Sequence, residues 1–221
     1  MVDSMLLVCA ANVCRSPLME YVLSQAAIQA EADPAWSVIS RGLEVTRAES
    51  LCAIVSELVA TTERGRSFAA EHRPVLLEGD LLDGQDLIIS ASGRERSAIA
   101  RLRPDLRDRS FTLKEAVRLG RGQFNDEEML RAAERAPGPT GLATYAAALH
   151  ERRGRVDFGR PRPTFRRSVP QLDPIDIPDV HDQKRRVHLR TLKEVQAVAG
   201  DLGLQLSGFL GGSGISRRRG H

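Results

Sequence analysis

A thiol and a guanidinium with five residues between them, Cys9 and Arg15, stand near the start of the chain, and Ser16 follows directly. The short apolar run Met5 to Val8 leads into Cys9 and reads as a buried parallel strand. Pro17 then marks a helix start, since its missing N–H would have had no partner in the first turn. Strand, tight loop and helix N-terminus make an anion site. The first amides of a helix have no intrahelical acceptor and carry the positive end of its dipole. A loop curling into them aims its N–H groups inward at a phosphate-like dianion. Arg15 adds a planar pair of donors matched to two oxygens. The same field favours the thiolate of Cys9, which is then placed to attack phosphorus while amides and Arg15 hold the equatorial oxygens.

Plainer readings exist for each residue. A cysteine ending an apolar strand can be inert packing. A cation at a helix start is disfavoured by the dipole, which argues for a bound anion beside Arg15. Ser16 can act as an N-cap, and Cys14 can pack.

The stretch Val8-Cys9-Ala10-Ala11-Asn12-Val13-Cys14-Arg15-Ser16-Pro17, with Glu20 beyond it, resembles the signature of the low-molecular-weight protein tyrosine phosphatases. Asn12, Cys14, Ser16, Pro17 and the preceding strand make the match specific. Ala11 stands where the family usually has Gly, and Ala tolerates positive φ poorly. The resemblance implies that Cys9 is the nucleophile of a phosphocysteine mechanism without metal or cofactor. Residues Ala10, Ala11, Asn12, Val13, Cys14, Arg15 and Ser16 then bind phosphate. Ser16 hydrogen-bonds the thiolate, Asn12 shapes the loop, and Cys14 is a packing residue or a disulfide partner of Cys9.

Such chemistry needs a proton donor for the leaving oxygen and then a base for water. The resemblance places an Asp-Pro pair in a loop before the last helix. The sequence offers Asp173-Pro174, Asp176, Asp179-Val180-His181 and Asp182. The register favours Asp179, with Val180 in place of the usual Pro and His181 where an aromatic residue commonly lines the pocket. The plain reading of this acidic run is a helix cap.

The elements that would position these groups form one α/β domain, a four-stranded parallel sheet flanked by helices on both faces, spanning residues 1–210. Leu18 to Ala32 is an amphipathic helix, Trp36 to Ser40 a strand, and Glu49 to Ala70 a helical stretch that Gly65 can break. Cys52 lies within the apolar set of that stretch. His72 reads as a structural hydrogen-bonding residue. Asp86 to Ser90 and Arg109 to Leu113 are strands, Gly93 to Leu102 and Lys114 to Leu119 helices, and alternation of this kind implies right-handed crossovers. An insertion at about 120–170 holds two helices, one capped at Asn125 and running to Arg135, the other from Gly141 to Arg153. It also holds the basic run Arg160 to Arg167, a surface loop or an anion-attracting flap. The last helix spans Gln183 to Leu204, and 211–221 reads as a disordered tail.

With 221 residues, a net charge of +3 and 4% aromatics, the chain suits an anionic substrate, and the charge is too small to argue for nucleic acid. Three cysteines, an odd number with two in one loop, argue for a reduced cytoplasmic setting. No apolar run approaches a membrane span. The expected activity is phosphomonoester hydrolysis, with phosphorylated protein or a small aryl phosphate as the partner. Two alternatives are an arsenate reductase on the same scaffold and a non-catalytic phosphate-binding or interaction module.

Overall fold

Alternate residues of a strand face opposite sides of its sheet, and when both sides are covered every residue can be apolar. The run Met5-Leu6-Leu7-Val8 does this. Met5, Leu7 and Cys9 point into one cluster, Leu6 and Val8 into another, and none of the five is more than 3% exposed. The structure, a computed structural model, describes residues 2–30, 36–45, 50–136, 138, 141–158 and 173–212.

Strand β1 (Ser4–Cys9) is flanked by β2 (Ser37–Gly42) and β3 (Leu87–Ser90), with β4 (Ser110–Thr112) outside β3. All three pairings are parallel and the order is β2-β1-β3-β4. The chain leaves β1 toward β2 and returns to the other side at β3. The β1/β3 boundary is therefore the point where an open α/β sheet leaves a crevice at its carboxyl edge. Cys9 ends β1 at that edge.

The larger face is covered by α1 (Arg15–Gln29), α2 (Ala53–Val59), α5 (Leu113–Leu119), α7 (Gly141–Arg152) and α8 (Arg185–Gly212), whose apolar residues join the first cluster. The smaller face is closed by Ile99 of α4 (Gly93–Leu102) with Leu77, Leu82 and Leu106. At roughly 2 kcal/mol for each fully buried aliphatic side chain, β1 is firmly anchored from both faces.

The expected helical stretch 49–70 is two helices, α2 and α3 (Glu63–Glu71). The break falls at residues 60–62 because Thr62 is an N-cap, its hydroxyl accepting from the Gly65 amide at 3.0 Å. Gly65 lies inside α3 instead of ending α2. A Cβ there would stand 1.7 Å from the Val59 carbonyl oxygen, so only glycine lets the two helices meet so closely.

Both helices expected within the insertion form: α6 (Asp126–Arg135), begun by a capping box between Asn125 and Glu128, and α7. The insertion is knit into the core. Buried Asp3 accepts from the Leu142 amide at 2.8 Å, and Arg152 joins Glu128 to the carbonyls of Leu119, Arg121 and Gln123. The basic run 160–167 lies outside the described residues. The last helix begins two residues later than expected and continues to Gly212, so residues 211 and 212 belong to it; 213–221 lie outside the described residues. Among the described residues, no helix is long and apolar enough to cross a membrane.

Candidate active site

The loop between β1 and α1 is held by neighbours on every side. Ala91 donates to the Val8 carbonyl at 2.8 Å, Leu43 to Cys9 at 3.1 Å, Glu44 to Ala10 at 2.9 Å and Cys52 to Val13 at 3.0 Å. These bonds engage the loop carbonyls from outside. The N–H groups of Ala11, Asn12, Val13 and Cys14 have no acceptor among the described residues, which leaves them to converge on an anion. Gly42, at the end of β2, lies against this curl: a Cβ there would stand 2.8 Å from the Ala11 carbonyl carbon and 2.9 Å from the Ala10 oxygen.

Asn12 adopts a left-handed conformation with φ 56°. The one loop residue with positive φ is thus an asparagine, which tolerates that region, and Ala11 carries no such demand. Asn12 is fully buried and every polar group of its side chain is used. Its amide donates to Ser16 Oγ at 3.0 Å and to Ser40 Oγ at 2.7 Å, and its Oδ1 accepts from the Val75 amide at 3.0 Å. His72 Nε2 donates to the Asn12 carbonyl at 2.9 Å, the structural role expected of it. Ser40 hands its own proton to Glu20. Burial raises the Glu20 pKa above the ordinary carboxylate value, and the Ser40 bond only partly offsets this.

This network settles where the Ser16 proton points. The hydroxyl oxygen accepts from Asn12, so its single O–H is free for Cys9 Sγ, 3.0 Å away. The other acceptor in reach, the Arg41 carbonyl, is at 3.4 Å. Cys9 is 3% exposed at the bottom of the loop.

Arg15 is also buried. Its guanidinium donates to the Ile177 carbonyl at 3.0 Å, pairs with Asp179, and lies 3.6 Å from the Glu95 carboxylate. A cation held between two carboxylates and a carbonyl keeps a fixed orientation. The segment that brings Asp179 here, residues 173–184, is strapped across the carboxyl ends of β3 and β4. Ile177 donates to the Ala91 carbonyl at 3.0 Å, Thr112 Oγ1 to Ile175 at 2.8 Å and Lys114 Nζ to Asp176 at 2.9 Å.

The four candidate acids separate by what they touch. Asp173 caps its own turn, accepting from the Ile175 amide at 3.1 Å. Asp176 accepts from the Gly93 amide at 2.6 Å, at the N-terminus of α4. Asp182 is exposed. Asp179 meets Arg15 and also accepts from the His181 amide at 3.2 Å; its side chain is half exposed, open to an incoming group.

Cys14 turns away from the cradle. Its sulfur is 3.0 Å from His181 Nδ1, and all three cysteines are free thiols, so the expected alternative of a disulfide with Cys9 is not formed. Beside it lie Cys52, at the N-terminus of α2, and His188. These four groups are the ones near the site able to hold a metal ion.

Sequence reasoning missed Glu95, Ser40 and His188. Glu95 follows Ser92 at capping-box spacing, and its carboxylate does accept from the Ser92 hydroxyl. Nothing in that local pattern tells that the other oxygen faces Arg15. Ser40 and His188 are brought in by sheet register and helix packing alone.

No profile of a known protein family matches the chain. A probable low molecular weight protein-tyrosine-phosphatase, EpsP of Ralstonia solanacearum, is 31% identical over 115 residues, which are 52% of this chain and 73% of that protein. Among solved structures, a mutant of YwlE from Bacillus subtilis superposes with a TM-score of 0.56 at 18% identity, covering 92% of this chain and 98% of that one. The tyrosine phosphatase Wzb from Escherichia coli K30, in complex with phosphate, gives 0.52 at 15% identity, covering 94% and 97%. The tyrosine phosphatase AmsI of Erwinia amylovora gives 0.53 at 17% identity, covering 93% and 91%.

Proposed function

The chain belongs to the low-molecular-weight protein tyrosine phosphatase family, and from that premise we propose that it hydrolyses phosphomonoesters, protein phosphotyrosine foremost, through a phosphocysteine formed on Cys9. The observation that carries this reading is the Cys9 thiol facing the Ser16 hydroxyl at 3.0 Å, in a loop whose Arg15 reaches Asp179.

The ester dianion enters the loop and its oxygens take hydrogen bonds from the amides of residues 10–16 and from Arg15. Ser16 stabilises the Cys9 thiolate, which attacks phosphorus opposite the leaving oxygen. As Arg15 turns to the phosphate oxygens its pair with Asp179 opens, and Asp179 in its acid form gives its proton to the leaving oxygen as the P–O bond breaks, so that the alcohol or phenol departs. The carboxylate so formed takes a proton from water, the hydroxide attacks the phosphocysteine, and the S–P bond breaks. Inorganic phosphate, the Cys9 thiolate and protonated Asp179 are restored. Glu95 and the Ile177 carbonyl fix the plane of Arg15. The three thiols suit a reducing, cytoplasmic setting.

The test is hydrolysis of a chromogenic aryl phosphate by the wild-type chain and by Cys9→Ser, with mass spectrometry of the acid-quenched wild-type reaction. The expected result is turnover lost in the variant and a phosphate adduct on Cys9. Equal, negligible rates with phosphate binding retained would make the protein a phosphate-binding module. Arsenate-dependent consumption of thiol in place of ester hydrolysis would make it a reductase.

A further inference from the structure

Four groups able to bind a soft metal converge on the back of the phosphate loop from four separate places: Cys14 in the loop, Cys52 at the start of α2, His181 beside Asp179, and His188 in the first turn of α8. Their ligand atoms all lie within 4.8 Å of one another. Cys14 Sγ is 3.0 Å from His181 Nδ1, Cys52 Sγ is 3.8 Å from His188 Nε2, and the two imidazoles meet edge to face with centroids 5.5 Å apart. We propose that these four side chains form a tetrahedral metal site, for which zinc is the fitting ion, tying the acid-bearing segment to the phosphate loop.

The geometry suits the ion. Zinc with bonds of about 2.3 Å to sulfur and 2.0–2.1 Å to nitrogen sets its ligand atoms roughly 3.3–3.8 Å apart, and side-chain adjustments of about an ångström bring the present cluster to that shape. Two thiolates and two imidazoles are the donor set of structural zinc sites, and their softness excludes magnesium and calcium. Charge agrees as well. Two thiolates cancel the ion's two positive charges, so the loaded site is neutral where Cys14, Cys52 and His188 are each at most 8% exposed. Binding releases the thiol protons to solvent and leaves both imidazoles neutral. Exposed His181 supplies the entry side.

The thiol environments point the same way. Cys52 is lowered to about 5 by its hydrogen bond with Cys14, with the Val55 and Ile54 amides adding to this against the opposing effect of burial. Cys14 is pushed up by that same shared bond and by burial.

The site is structural, not part of the hydrolysis. It fixes His181, two residues from Asp179, to the loop that holds Cys9 and Arg15. Metal binding itself stands apart from the phosphatase reading, because the ion is counted and not inferred from turnover.

The experiment is metal analysis of the full chain purified under reductant without chelator, then stripped and reloaded with zinc or cobalt(II), alongside Cys52→Ser and His188→Gln. The expected result is about one zinc per wild-type chain and, with cobalt, the intense visible bands of a tetrahedral thiolate site, both lost in the variants. Stripping should slow esters with poor leaving groups roughly 10- to 100-fold and those with good leaving groups far less, since a misplaced acid matters most where the leaving oxygen needs its proton. Should the variants fail to fold, the wild type alone decides, through zinc competition with a chromophoric chelator and release by a thiol-specific mercurial. No zinc uptake by the reduced wild type would overturn the proposal. So would equal zinc binding by wild type and folded His188→Gln, or a Cys14–Cys52 disulfide persisting under reductant.

Discussion

The phosphate loop has two faces, and each carries a thiol. On the front, Cys9 meets a hydroxyl whose proton is steered toward it by Asn12, beside a set of amides without acceptors among the described residues. On the back, Cys14 meets an imidazole and a second thiol. Four residues of one curl separate a sulfur that faces a hydroxyl from one that faces an imidazole and a second thiol. Residue type therefore says little about a cysteine's use. What decides it is the partner that the fold delivers, near or far along the chain: Ser16 and Asn12 are local to Cys9, whereas His181 stands 167 positions from Cys14.

The sharpest way to break this contrast is to change one sulfur on each face. Cys9→Ser should lower aryl phosphate turnover on the order of 10⁴-fold or more. Cys52→Ser, on the back, should leave turnover of an ester with a good leaving group close to wild type. Comparable losses in steady-state assays would show that the two faces are not functionally distinct.

A smaller loss is expected from the strap that joins the faces. Asp179→Asn should slow esters with poor leaving groups by roughly 10²- to 10⁴-fold, and Asp173→Asn should not. A leaving-group series for both variants checks this. A larger loss from Asp173→Asn would reassign the acid.

Next is the residue that shapes the curl. Asn12→Ala places a Cβ-bearing residue without a compensating side chain at φ 56° and removes three side-chain hydrogen bonds, two of them buried. The expected cost is about 3 kcal/mol, measured by denaturant unfolding. A change within experimental error would mean that the loop is held by its neighbours alone.

The smallest effect is electrostatic. The folded chain keeps the Glu20 proton to a higher pH than the unfolded chain, whose value is near 4.5. Its contribution to stability is full below pH 4.5 and is lost as pH rises through the raised folded value. Glu20→Gln should therefore gain in melting temperature relative to wild type as pH increases from 4.5 toward neutrality. Parallel curves would show that the carboxylate is solvated after all.

Much of the fold was legible because its determinants are local. The run Met5 to Val8, Asn125 with Glu128, and Gly93 to Leu102 each carry their signal within a few residues, and each forms as read, whereas α1 begins at Arg15, two residues before the Pro17 that marks its start in the sequence, and ends at Gln29. The break between α2 and α3 was misplaced because Gly65 marks a close approach of two helices, and a glycine looks the same in sequence whether it ends a helix or admits a neighbour. On the front of the loop, Cys9, Arg15 and Ser16 were legible for the same reason of locality. Asp179 could be placed only by register. Glu95 was hidden inside an ordinary cap, and the cluster of Cys14, Cys52, His181 and His188 has no consecutive spacing to betray it.

The bare backbone at Gly42 has a consequence for binding. With no side chain between them, the end of β2 serves as a mould on which the curl of residues 10 and 11 is cast. Contact with the sheet constrains that curl, which lowers the affinity that a phosphate would spend on ordering the chain around it. A methyl group added at that one position would dent the mould, and the damage would be felt as weaker capture of every phosphate ester, whatever alcohol it carries.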